Sequence, residues 1–256
     1  MKILAIDSSG LTASIAVLED DLMIAEYTIT HKKTHSQTLL PMLDTIVQTL
    51  QMDLEEIDAI AVAKGPGSFT GLRIGSATAK GLAFVLNKPI IPVPTVDALA
   101  YNLYGTTALI CPLMDARRNQ TYTGIYTFVQ KEDIMEFEVV SEQKAVAIEE
   151  ILEEVNSLAN KKRTNVIFLG DGIEVFKSQI KEQIKVPFSF APEHCKRQRA
   201  GAVGTLGLSY YKKGIFEPAQ VHVPEYLRLS QAEREREQKF QEKKQEKEKE
   251  GKKNRN

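Results

Sequence analysis

The sequence predicts a mixed α/β protein of two related lobes, and three observations carry that prediction. An apolar strand ending in aspartate, Ile3-Leu4-Ala5-Ile6-Asp7, opens the chain and runs into a hairpin. A second, Ala108-Leu109-Ile110-Cys111-Pro112-Leu113-Met114-Asp115, repeats the pattern near the middle. A third apolar strand, Val166-Ile167-Phe168-Leu169, ends in Gly170-Asp171-Gly172 and passes into a helical pattern. Strands and helices alternate between these landmarks, which place the first lobe over residues 1–105 and the second over 106–229.

Residues 2–6, 13–18 and 22–30 read as three strands joined by tight turns. A helix follows from about Ser36, its N-cap, because Leu39, Leu40, Leu43, Ile46, Val47 and Leu50 recur at helical spacing. Pro41 falls near its first turn, where proline costs least. The buried-looking run Ala59-Ile60-Ala61-Val62-Ala63 then leads into Lys64-Gly65-Pro66-Gly67-Ser68-Phe69-Thr70-Gly71-Leu72-Arg73-Ile74-Gly75. That is strand, glycine-rich turn and helix. The glycines permit backbone angles that a side chain forbids, and Ser68 or Thr70 can cap the helix. Gly71, Gly75, Ala79 and Ala83 recur every four residues, so they line one helix face and admit a close neighbour. A strand at 90–93 and a helix near 96–104 finish the lobe.

In the second lobe, strands are expected near 121–130 and 134–140, with a helix near 147–158. A further helix near 173–183 follows the glycine–aspartate–glycine turn. Gly201, Gly204 and Gly207 weaken a last helix over 199–212. Residues 218–229 read as an extended return. Residues 230–256 alternate charged residues as a frayed helix or disorder without a core role.

A chain of 256 residues has room for an ample core. No apolar run reaches the roughly 18–20 residues that cross a bilayer. Asp7 comes too early for a signal peptide. Cys111 and Cys195 have neither metal nor disulfide-framework spacing, so a reducing cytoplasm and no membrane association are expected. The net charge of −1 is uneven: residues 231–256 hold 10 Lys/Arg against 7 Asp/Glu, leaving 23 basic and 27 acidic residues elsewhere. A body of that sign binds tRNA or DNA poorly on its own, because phosphate neutralisation dominates such affinity.

The remaining motifs mostly have plain readings. The glycine-rich turn lacks the Gly-Lys-Ser/Thr ending of a phosphate loop. It also lacks the glycines that flank a nucleophilic serine, since Pro66 and Thr70 stand beside Ser68. His31 and His35 are four apart without a third ligand, which reads as a solvated loop. Glu149, Glu150, Glu153 and Glu154 are a solvated helix face. No metal site and no acid–base pair or triad is expected.

Two strand–aspartate–hairpin units and a later glycine turn resemble the actin-like ATPase fold, shared with sugar kinases and built on ribonuclease H-like lobes. In that fold the hairpins hold phosphates, an aspartate holds hydrated magnesium, and the glycine turn admits adenine. Here Asp7, Ser8 and Ser9 match the first hairpin, while Asp115-Ala116-Arg117-Arg118-Asn119 puts two bulky cations where phosphate would lie. With Gly170 and Gly172 these residues are expected to form a degenerate nucleotide loop in a chain whose second lobe is degenerate.

Ile3 to Ser9, His35-Ser36 with Leu39-Leu40-Pro41, Lys64 to Gly75, Met114-Asp115-Ala116-Arg117 and Pro224-Glu225-Tyr226-Leu227-Arg228 together resemble the bacterial TsaB (YeaZ) family over residues 1–229. The resemblance implies a non-catalytic subunit needed to form threonylcarbamoyladenosine at position 37 of tRNAs that read codons starting with A. It implies pairing through the first lobe with a catalytic paralogue, TsaD, joined by the ATPase TsaE, while TsaC supplies the threonylcarbamoyl adenylate. It places ATP and metal on those partners, reaches tRNA only through the complex, and leaves this chain no cofactor. Leu39, Leu43, Gly71, Leu72, Gly75, Ala79 and Ala83 are the expected partner surface, which would give a two-fold homodimer when the partner is absent. The rival expectation is an active enzyme: an acyl or sugar kinase using Asp7 and Asp115, or a peptidase.

Overall fold

The computed structural model describes residues 1–31 and 34–228, and Met1–Glu225 form one compact unit. The described residues beyond it, Tyr226 to Arg228, form neither helix nor strand. The expected charged tail, 230–256, lies outside the described residues.

The first sheet contains β1 (Lys2–Asp7), β2 (Thr12–Glu19), β3 (Leu22–Thr30), β4 (Ala59–Gly65) and β5 (Ile90–Pro94), in the order β3-β2-β1-β4-β5. β1 runs antiparallel to β2 and parallel to β4. Its neighbours α1 (His35–Leu50) and α2 (Phe69–Leu86) cover one face, burying Leu4, Ile6, Ile15 and Val17 against Leu39, Met42, Leu43, Ile46, Ala79 and Ala83. Ile3, Ala5, Ala16 and Leu18 point to the other face. Cover on both faces explains why β1 reads as an unbroken apolar run.

The second sheet repeats this plan. β6 (Leu109–Asp115), β7 (Gln120–Lys131), β8 (Ile134–Ala147), β9 (Val166–Leu169) and β10 (Phe188–Phe190) take the order β10-β9-β6-β7-β8. In each sheet the third, second, first, fourth and fifth strands lie side by side. The chain therefore has the two-lobed actin-like, ribonuclease H-like fold. α4 (Ile148–Lys162) and α5 (Gly172–Gln183) pack on the second sheet through Ile151, Val155, Phe176 and Ile180.

The two sheets are made of residues on either side of 105, Lys2–Pro94 and Leu109–Phe190, but the later residues do not keep to the second sheet. The last helix, α6 (Ala200–Lys212), returns to the first sheet and covers its second face through Val203 and Leu206. Its glycines are packing positions: a Cβ on Gly204 would lie 2.2 Å from Leu18, and one on Gly207 3.0 Å from Ala61. α3 (Thr95–Tyr101) stands between the sheets, with Val96, Leu99 and Ala100 against Ile110, Met114, Tyr126 and Phe128. At its centre Asp97 accepts from the Tyr126 hydroxyl at 2.8 Å and the Tyr210 hydroxyl at 3.3 Å. Burial pushes the Asp97 carboxyl up, against the pull of those two donors.

Smaller differences are local. α1 starts at His35 after Thr34, so Ser36 is inside the helix rather than its cap. β8 continues to Ala147, and the short β10 is additional to the expected strands.

Candidate functional site

The glycine-rich turn lies against the β1–β2 hairpin. Gly65 has φ +126°, and its amide donates to Thr95 Oγ1 at 3.1 Å. Ser68 caps α2, accepting from the Gly71 amide at 3.3 Å, while its own amide donates to the Ser9 carbonyl at 2.7 Å. The Ser8 hydroxyl donates to the Gly71 carbonyl at 2.8 Å. A Cβ on Gly67 would lie 2.3 Å from Ser9 O, one on Gly71 2.1 Å from Ser8 O, and one on Gly75 2.3 Å from Ser8 Oγ.

The small-residue stripe therefore faces inward, which corrects the expected partner surface. Leu39, Leu43, Gly71, Leu72, Gly75, Ala79 and Ala83 are all buried within this chain. The close neighbour of Gly71 and Gly75 is the chain's own first hairpin. The opposite side of the same helices is open: Leu40, Arg73, Ala77, Gly81, Phe84 and Val85 are exposed.

Asp7 lies at the bottom of the hairpin. Its Oδ1 accepts from the Ser9 amide at 2.9 Å and the Ser9 hydroxyl at 2.6 Å. Burial pushes its carboxyl up to about 6, although those two bonds and His35 pull it down. His35, expected in a solvated loop, instead donates from Nε2 to the Gly10 carbonyl at 2.8 Å, and its Nδ1 is buried without a partner. A raised folded-state carboxyl pKa means that the folded chain keeps a proton that the unfolded chain has released. Stability from this group is thus fully present below pH 3.8 and is lost as pH rises to about 6. Asp7→Asn removes the titration. We expect its stability relative to the parent, followed by urea unfolding, to rise by about 2 kcal/mol between pH 4 and pH 7. A pH-independent difference would contradict this.

The second hairpin is committed differently. Arg117 donates its amide to Asp115 Oδ1 at 2.7 Å, and its guanidinium pairs with Asp115 Oδ2 at 3.0 Å. Arg117, Arg118 and Asn119 hold the left-handed backbone in succession, with φ of 65°, 57° and 58°. At the third landmark, Gly170 (φ +101°) and Gly172 pack on the Leu113 carbonyl, 2.1 and 2.8 Å from their would-be Cβ atoms. Burial pushes the nearby Asp171 carboxyl up.

These residues do not fit a magnesium nucleotide. The Ser8 hydroxyl is given to the Gly71 carbonyl of α2 and the Ser9 hydroxyl to Asp7, Asp7 is buried, and the Asp115 carboxylate already carries the Arg117 guanidinium. Among the described residues, no three histidine, cysteine or acidic side chains are arranged to hold a metal. No helix among them is long and apolar enough to cross a membrane. Sequence reading also missed Gln198, which packs on Gly10, and His222, which is buried with Nδ1 2.7 Å from Glu217 Oε1. No local motif marks either one.

The profile of the TsaD family, tRNA N6-adenosine threonylcarbamoyltransferase, matches residues 23–236. The chain is 37% identical over 235 residues to the tRNA threonylcarbamoyladenosine biosynthesis protein TsaB of Bacillus subtilis, covering 91% of this chain and 96% of that one. It is 34% identical over 153 residues to TsaB of Haemophilus influenzae, covering 56% of this chain and 63% of that protein. The solved structure of YeaZ from Pseudomonas aeruginosa superposes with a TM-score of 0.69 at 24% identity, covering 88% of this chain and 99% of that one, a likeness of fold.

Proposed function

Because this chain belongs to the TsaB family and has a role in tRNA threonylcarbamoyladenosine biosynthesis, we propose that it acts there as a non-catalytic subunit. It docks on a TsaD-like catalytic paralogue and activates it together with a TsaE-like ATPase. One observation carries this reading: both hairpin aspartates are already bound by the chain's own groups, Asp7 by Ser9 and Asp115 by Arg117. ATP and metal then belong to the partners, and tRNA, with threonylcarbamoyl transfer to its adenosine 37, is reached only through the assembled complex in the cytoplasm.

The docking surface in this reading is the outward side of α1 and α2. It carries exposed Leu40, Phe84 (69%) and Val85 (81%) beside the small residues Ala77 and Gly81. Exposed apolar side chains around small residues suit a helix-to-helix interface with a paralogue, or with a second copy when the paralogue is absent. A Cβ added to Gly81 would meet nothing within 4 Å, so this position can be altered without disturbing the monomer.

The test combines Gly81→Arg and Phe84→Asp. We expect co-purification with the TsaD-like subunit, and tRNA modification in the reconstituted system, to fall by about tenfold or more while thermal unfolding is unchanged. Full modification by a folded double variant would refute the proposed surface. Turnover of magnesium-ATP by the chain alone would refute the non-catalytic role.

A further inference from the structure

We propose that residues 217–225 form a strap over α2 that acid releases, with the buried His222 as its clasp. This goes beyond the partner reading and does not rest on it. Both ends of the strap are fastened through backbone. Glu217 and Ile90 each donate an amide to the other's carbonyl at 2.8 Å, which ties the start to β5. The Glu225 amide donates to the Lys64 carbonyl at 2.7 Å, and its carboxylate pairs with Lys64 Nζ at 2.8 Å, which ties the end to β4. A Cβ on Gly65 would lie 2.1 Å from the Glu225 carbonyl oxygen, so the strap rests on the glycine-rich turn. Between these ends α2 reaches it with Lys80, whose Nζ donates to the His222 carbonyl at 2.8 Å and the Gln220 carbonyl at 3.4 Å.

His222 is the part of the strap that points inward. It is wholly buried, while Val221 (59%) and Val223 (69%) on either side are exposed, the alternation of an extended chain. Its Nδ1 lies 2.7 Å from Glu217 Oε1, so the neutral ring donates to that carboxylate and leaves a bare Nε2. That Nε2 is buried without a partner. A second proton would put an N–H there with no acceptor. The charged groups that face the ring are Glu217 on the strap, Lys80 on α2 and Lys64 on β4, the last paired with Glu225. Burial pushes the imidazole down, Glu217 opposes this without prevailing, and Lys80 and Lys64 add to the downward push. Once the strap lifts, the ring meets water and takes its proton at the ordinary value of 6.5. The closed strap is therefore fully favoured above that pH and loses ground as pH falls below it.

The experiment is hydrogen–deuterium exchange of the full chain at pH 7.5 and pH 5.5, with each rate divided by the intrinsic rate at that pH. Protection of peptides over residues 217–225 is expected to fall by about fivefold in acid. His222→Asn keeps an amide donor for Glu217 and cannot titrate, so its strap is expected to be protected equally at the two pH values. Peptides over β1 serve as the reference and are expected to lose no protection, because Asp7 titrates with the opposite sign. Equal protection of the parent strap at both pH values, or the same acid loss in a folded His222→Asn chain, overturns the inference. If that variant is not folded by circular dichroism, the NMR titration of the His222 ring in the parent decides. A midpoint below 6.5 supports the clasp, and one at 6.5 or above overturns it. The partner reading fails separately, by full modification with the Gly81→Arg/Phe84→Asp chain.

Discussion

Gly71→Ala is expected to destabilise the isolated chain by about 3 kcal/mol, lowering its thermal midpoint by about 6–12 °C. The added methyl would lie 2.1 Å from the Ser8 carbonyl and 3.3 Å from Ser68 Cβ, and the first of these is backbone. Nothing flexible can give way. Either the N-terminal turn of α2 or the β1–β2 hairpin must move, which breaks the Ser8 hydroxyl bond to Gly71 and the Ser68 amide bond to Ser9. Alanine is otherwise the better helix former by about 1 kcal/mol, so intrinsic propensity favours the change and sterics decide it. Gly81→Ala in the same helix meets nothing within 4 Å and is expected to stabilise by about 0.5–1 kcal/mol. Opposite signs in differential scanning calorimetry would confirm the inward face of α2; equal signs would contradict it.

Asp97→Ala is expected to cost about 4 kcal/mol in urea unfolding. The substitution leaves two phenol hydroxyls, those of Tyr126 and Tyr210, without their shared acceptor. Tyr126 is fully buried on the second sheet, whereas Tyr210 comes from the helix that covers the first. The loss therefore falls where α3, β7 and α6 meet. Asp97→Asn keeps one carbonyl acceptor and should retain more than half of that stability. A loss under about 1 kcal/mol for the alanine variant would show that the hydroxyls find other partners.

The strands and helices were legible because burial writes a period into the sequence. β1 and β6 are continuous apolar runs because both their faces are covered, and α1 shows its buried positions at helical spacing. The glycines of α2 correctly announced a close approach. They could not say by what, because absence of a side chain records proximity without naming the neighbour, and α2 also carries the small residues Ala77 and Gly81 on its other side. Gly201, Gly204 and Gly207 held the same kind of signal. Read as helix-weakening, they hid the return of α6 to the first sheet. The contacts of Gln198 and of His35 with Gly10 were hidden for another reason: each joins residues distant in the chain, and no local spacing encodes that. The first hairpin looked usable because Asp7, Ser8 and Ser9 are the right residue types. Only the fold reveals that their polar atoms bond to Ser9 and Gly71.

The path of α6 bears on how the polypeptide matures. Ile3, Ala5, Leu18, Ala61 and Val93 leave the ribosome early, yet the helix that shelters them is made of residues 200–212. Half of the earliest sheet must wait, sticky and uncovered, while more than a hundred later residues are synthesised. Neither lobe can be completed as a separate piece, and a nascent chain interrupted after β10 would present that bare sheet to whatever chaperone or aggregate it met first.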